Sequence, residues 1–172
     1  MYRFAGARGA FAAFVFVSLL LDLWLILPAR ARSAADAPQS ESMRATSISS
    51  TALIQPRELA QVLLAPVEKR PLLLYVGFRF PYIQAHIPGS EYVGPASSAA
   101  SVQLLRRRIA DLSRNKFIVI YCGCCPWSRC PNIKPAYQAM HELGFANLKV
   151  LYLAENLGTD WVNKGYSVAK GE

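Results

Sequence analysis

Beyond the N-terminal region, Leu72 to Val76 and Phe117 to Tyr121 are apolar without interruption, and Leu148 to Tyr152 is broken only by Lys149. Runs of this length without polar alternation suit strands covered on both faces. Between them the apolar spacing changes. Leu59, Val62 and Leu63 fall at i, i+3 and i+4, and Val102, Leu105, Ile109 and Leu112 share one side of a helix predicted over Ser98 to Leu112. Gln55-Pro56 opens the first helix, with proline where a missing N–H costs nothing. A further helix runs from Asn132 to Leu143 and stops at Gly144. Ala52-Leu53-Ile54 is a short strand, and His86-Ile87-Pro88-Gly89-Ser90 is a turn. Strands alternating with helices predict an α/β fold, a parallel sheet with helices on both faces.

The N-terminal region follows neither pattern. Arg3 and Arg8 precede an apolar run from Gly9 to Leu27, interrupted by Ser18 and Asp22. Small residues follow, with Ala29-Arg30-Ala31 and Ser33-Ala34-Ala35 as cleavage candidates, the anatomy of a secretory signal. The competing reading is an uncleaved anchor through residues 9–27, which Asp22 disfavours at about 2.5–3.5 kcal/mol. The expected organisation is a signal peptide or anchor over 1–35, a Ser/Ala/Thr-rich flexible linker over 36–50 and one domain over 51–172. Either reading puts the domain outside the cytoplasm, in a periplasm or otherwise exported, or membrane-anchored and facing outward.

Charge narrows the partners. The net charge of the chain is +8; four Arg and Asp22 lie within residues 1–35, so 15 basic and 10 acidic side chains remain beyond them, a net +5. This modest excess suits a small anionic substrate. No basic-aromatic interleaving supports nucleic-acid binding. The Arg106-Arg107-Arg108 run reads as a solvated helix face.

The chemistry concentrates in one place. All four cysteines, Cys122, Cys124, Cys125 and Cys130, occupy nine consecutive positions between the strand ending at Tyr121 and the helix opening near Asn132. Helix-end N–H groups and the helix dipole lower thiol pKa at such a position, and the thiolate is the nucleophile. Several arrangements stay open. Cys124 and Cys125, being adjacent, rarely bond each other, whereas either with Cys130, or Cys122 with Cys125 in a C-x-x-C pair, is easier. Such pairs also serve thiol–disulfide exchange, one thiol attacking and the other resolving. Structural zinc draws its ligand pairs from separated segments, unlike this single loop, although soft thiolates suit Cu(I). The reading therefore assigns no metal and no cofactor. Pro126 after Cys125 excludes c-type haem attachment.

These residues resemble the rhodanese-like domains. His86-Ile87-Pro88-Gly89-Ser90 is similar to that family's HIPGA turn, and Ile118 to Cys122 is similar to the strand that delivers its catalytic cysteine. Gly144-Phe145 with Leu148 to Leu151, and Trp161 to Val168, resemble its next helix end and strand and its closing segment. The resemblance implies a rhodanese-like sulfurtransferase of the thiosulfate:acceptor type, or a thiol redox protein, with Cys122 carrying sulfane sulfur as a persulfide. Cys124, Cys125 and Cys130 are then resolving or disulfide candidates. Gly123, Trp127, Ser128 and Arg129 are substrate-binding candidates, Arg129 because guanidinium matches oxyanions. The partner is a small sulfur-containing anion or a protein thiol acceptor. The alternatives are a thiol–disulfide oxidoreductase on the same fold and a non-catalytic binding module with a disulfide- or metal-clipped loop. His86 reads as a structural turn residue and His141 as surface or packing.

This chain departs from the family pattern in three ways. Tyr75 and Gly77 stand where the family carries an Asp-x-Arg pair. The 22 positions from Cys122 to Gly144 exceed the family's usual loop and helix. Pro126 and Pro131 each remove an N–H from any anion cradle.

Overall fold

The computed structural model describes residues 48–171. The signal-like segment lies outside the described residues, as does most of the linker. The fold takes up the last three linker positions: Ile48 packs against the core, and Ser49 caps a short 3₁₀ turn at Ser50–Ala52.

Five parallel strands form one sheet: β1 (Leu53–Ile54), β2 (Leu72–Tyr75), β3 (Ser90–Tyr92), β4 (Ile118–Tyr121) and β5 (Leu148–Leu151), in the order β1-β5-β4-β2-β3. The helices are α1 (Pro56–Val62), α2 (Arg79–Gln84), α3 (Ala99–Ile109), α4 (Ile133–Glu142) and the single turn α5 (Leu157–Asp160). The two uninterrupted runs and the one broken by Lys149 are the three inner strands, as two-sided burial requires. Central β4 is buried at all four positions.

Alternation along the strands divides the core into two layers. Leu74, Ile118, Ile120 and Val150 pack with Leu105 and Ile109 of α3 and Ala136 and Met140 of α4. Leu73, Tyr75, Val119, Tyr121 and Leu151 pack on the opposite face with Leu59, Tyr82, Leu157 and Trp161. Helices therefore cover both faces.

The arginine run joins elements as well as meeting solvent. Arg106 pairs with Glu142 of α4 at 2.7 Å, and Arg108 grips both carboxylate oxygens of Glu91 on β3 at 2.6 and 2.8 Å. No helix among the described residues is long and apolar enough to cross a membrane.

Candidate functional site

Cys122 leaves the C-terminal end of the central strand, where open α/β sheets place ligands. Its side chain enters the α3/α4 layer and is 4% exposed. Its neighbour Tyr121 turns the other way. The Tyr121 hydroxyl accepts from Ile87 N–H at 3.0 Å and lies 2.7 Å from Ser90 Oγ, fixing the Pro-Gly turn. His86 belongs to the same scaffold. Its Nδ1 is 2.9 Å from Tyr82 O, and its ring stacks on Tyr82 at 4.0 Å. It is a structural residue, as its place in the turn implied.

The loop beyond Cys122 is held without covalent links. Gly123 O accepts from Leu157 N–H at 3.1 Å, and a Cβ at Gly123 would sit 2.7 Å from the Leu157 Cβ, so only glycine fits there. Trp127 N–H donates to Ala154 O at 3.1 Å, and its ring packs on Tyr152 at 5.1 Å. Trp127 thus anchors the loop to the segment leaving β5.

All four thiols are free, and the loop folds them together. Cys122 Sγ lies 3.2 Å from Cys124 Sγ, which lies 3.4 Å from Cys125 Sγ; the three sulfurs fall within 4.8 Å of one another. Cys130 lies at the edge of the cluster, outside that trio, and its sulfur still influences Cys122 and Cys125 electrostatically. Asn132 is fully buried behind it; its Nδ2 donates to Cys122 Sγ at 3.4 Å, and its Oδ1 accepts from Ser97 N–H at 3.0 Å.

This network sorts the protons. The neighbouring Cys124 and Cys130 sulfurs, with burial, hold the Cys122 pKa far above the ordinary thiol value. The same proximity to Cys122 lowers Cys124 and Cys130 to about 6, against an opposing cost of burial. Burial, followed by the Cys124 interaction, pushes Cys125 up to about 12. Backbone N–H groups of Asn132 and Ile133, at the start of α4, serve Cys130. The helix-end amides therefore meet the last thiol of the loop, not the first, because the enlarged loop carries Cys122 away from them. Phe78 N–H aids Cys124.

Sequence reasoning noted Tyr75 and Gly77 as departures but missed what they do. A Cβ on Gly77 would lie 2.9 Å from Cys122 Sγ and 2.9 Å from both Cζ and the hydroxyl oxygen of Tyr75. Glycine at 77 thus lets a phenol and the strand-end thiol close over the backbone. The Tyr75 hydroxyl is buried without a well-formed hydrogen bond, although Gly123 N–H lies near it. Burial and the adjacent Cys122 and Cys124 raise its pKa. Asn132 was read only as the opening of a helix.

Ser128 and Arg129 are exposed at the outer rim. Arg129 lines a cleft of about 440 Å³ with Trp127, Cys130, Ile133 and Lys134, so two cations flank the approach to Cys130. Arg79 sits over the Tyr92 ring at 5.5 Å.

Strand order, parallel register and a cysteine at the end of the middle strand define a rhodanese-like α/β fold. Among solved structures, the Alr3790 protein from Anabaena sp. is similar at 19% identity and a TM-score of 0.50, over 69% of this chain and 92% of that one. A solution structure described as the rhodanese-like domain of the same protein matches at 19% identity and a TM-score of 0.48, over 69% of this chain and 79% of that chain. The BH2092 protein from Bacillus halodurans matches at 18% identity and a TM-score of 0.51, over 77% of this chain and 82% of that chain. No protein-family model matches the sequence, and no curated protein matches it significantly.

Proposed function

We propose that this is an exported sulfurtransferase-type domain that carries sulfane sulfur on Cys122, with Cys124 as its resolving thiol. The observation that carries the reading is the hydrogen-bonded Cys122–Cys124 pair, 3.2 Å apart at the end of the central strand of a rhodanese-like fold.

Cys122 attacks the outer sulfur of a donor such as thiosulfate. The donor S–S bond breaks, sulfite leaves with the electron pair and takes up the Cys122 proton, and a persulfide remains on Cys122. A thiophilic acceptor that attacks the outer persulfide sulfur takes it away and restores the Cys122 thiolate. Alternatively, the Cys124 thiolate attacks the inner sulfur. A Cys122–Cys124 disulfide forms, hydrosulfide leaves, and an external thiol must reduce the disulfide. Arg129 and Lys134 favour an anionic donor arriving along the cleft beside Cys130.

A second reading has its own observation. Cys124 is half-exposed and its pKa is lowered to about 6, whereas Cys122 is buried. On that reading Cys124 is the entry thiolate, and the loop performs thiol–disulfide exchange.

Mass spectrometry of the loop after thiosulfate exposure separates the two. Loading that vanishes in Cys122→Ser and persists, slowed, in Cys124→Ser supports the first. Loading that survives Cys122→Ser and vanishes in Cys124→Ser moves the nucleophile to Cys124. No added sulfur in any form refutes sulfur transfer and leaves a binding module.

A further inference from the structure

We infer that the thiol cluster is a binding site for one thiophilic d¹⁰ cation, Cu(I) or Zn(II), held by Cys122, Cys124 and Cys125 with Cys130 in reserve. This goes beyond sulfur transfer and does not depend on it. This loop lacks N–H donors at Pro126 and Pro131 and brings three sulfurs together. A cradle of sulfur suits a soft cation as a cradle of amides suits an oxyanion.

The distances fit. Thiolate–zinc bonds of about 2.3 Å, arranged as a tetrahedron or a plane, space the sulfurs roughly 3.8–4.0 Å apart. The observed separations of 3.2 and 3.4 Å, with an upper bound of 4.8 Å across the trio, bracket that spacing. A disulfide needs about 2.05 Å, so the sulfurs stand nearer to a shared ion than to a covalent pair. The loop is preorganised by the Gly123–Leu157 and Trp127–Ala154 hydrogen bonds. Asn132 Nδ2 is already aimed at Cys122 Sγ, the kind of outer hydrogen bond that steadies a thiolate ligand.

The donor set is all sulfur. Both histidines are engaged elsewhere, His86 against Tyr82 and His141 against Tyr137. An all-thiolate site disfavours hard cations, which take oxygen ligands. Cu(I) is satisfied by the three clustered sulfurs, whereas Zn(II) needs a fourth ligand, for which Cys130 at the edge of the cluster is the nearest candidate in sequence.

The test uses reduced, metal-free full-length protein under anaerobic conditions. Cu(I) is titrated against bicinchoninate, and Zn(II) against a chromophoric pyridylazo chelator. One equivalent should be withdrawn from the chelator per chain, and Cu(I) should add near-ultraviolet thiolate charge-transfer absorption. Cys125→Ser, at a half-exposed position, should keep its far-ultraviolet dichroism and lose affinity by about 100-fold or more. Cys130→Ser should release Zn(II) and retain Cu(I) if copper is the ion; equal loss of both marks a four-thiolate zinc site. The inference is overturned if neither ion competes with its chelator, or if folded Cys125→Ser binds as the unaltered protein does. Persulfide loading is measured on separate metal-free samples, so either result stands without the other.

Discussion

Gly77→Ala should disturb the thiol site through steric contact alone. Gly77 is not at a positive φ, so alanine meets no backbone penalty there. The new methyl would lie 2.9 Å from Cys122 Sγ and from Cζ and the hydroxyl oxygen of Tyr75. Ordinary carbon contacts are about 3.5–4.0 Å, so the overlap is roughly 0.6–1.1 Å against side chains on two neighbouring strands. Overpacking of this kind costs about 1–3 kcal/mol, less some 0.4–1 kcal/mol gained because alanine restricts the unfolded chain. Tyr75→Phe alone should be neutral or stabilising, because the hydroxyl it removes is buried and unpartnered, a state that costs about 1–3 kcal/mol. In the double variant one of the three close contacts disappears, so the two changes should not add. Urea unfolding of the four proteins reads the coupling, and maleimide labelling of Cys122 reads the displaced thiol. With a slope of about 1–3 kcal/mol/M in urea, the Gly77→Ala midpoint should fall by about 0.5–1 M. An unchanged midpoint with unchanged labelling would refute the close packing of phenol, glycine and thiol. Loss of more than about 1 kcal/mol in Tyr75→Phe would show that the hydroxyl is bonded, with the thiolate cluster as its partner.

Other outcomes follow from the same contacts. Iodoacetamide alkylation of the exposed side of the cluster should rise with pH through about 6 rather than near the ordinary thiol value, since thiolate at Cys124 and Cys130 persists above that point and is protonated below it; a single inflection near 9 in the pH–rate profile would count against the network. Tyr121→Phe leaves Ile87 N–H without its partner and should cost about 1–3 kcal/mol in urea unfolding. Arg129→Ala should leave thermal stability unchanged and raise KM for an anionic sulfur donor with little change in kcat, which steady-state kinetics would reveal. For export, N-terminal sequencing of secreted protein should find a start between Arg32 and Asp36, and a start at Met1 would favour the anchor.

Most of the sheet could be read from the chain because its inner strands are apolar runs, broken only by Lys149, and its long helices keep a regular period. The elements that escaped lack those signals. β3 is three residues long and carries Glu91; α2 holds Pro81 and has only Tyr82 buried; α5 is one turn. The four cysteines announced the site by proximity in sequence, and the turn and Cys122 were found by resemblance. Tyr75 and Gly77 could not be recognised as partners of Cys122 from sequence, because that needs β2 placed beside β4 with Tyr75 opposite Tyr121. Nor could the reach of Asn132 be read, since an asparagine before a helix is ordinarily a cap for its own turn. The convergence of the sulfurs depends on a loop whose path no periodicity records.

That loop is fastened by main-chain hydrogen bonds, a packed tryptophan and a glycine wedged against leucine, none of which involves sulfur. Its shape and its chemical state are therefore separable. A change of the sulfurs' chemical state would leave these fastenings where they are, so it need not unfold and rebuild the loop. In many small domains the cysteines are committed to holding the fold together. Here the scaffold makes no such demand, and all four thiols are free.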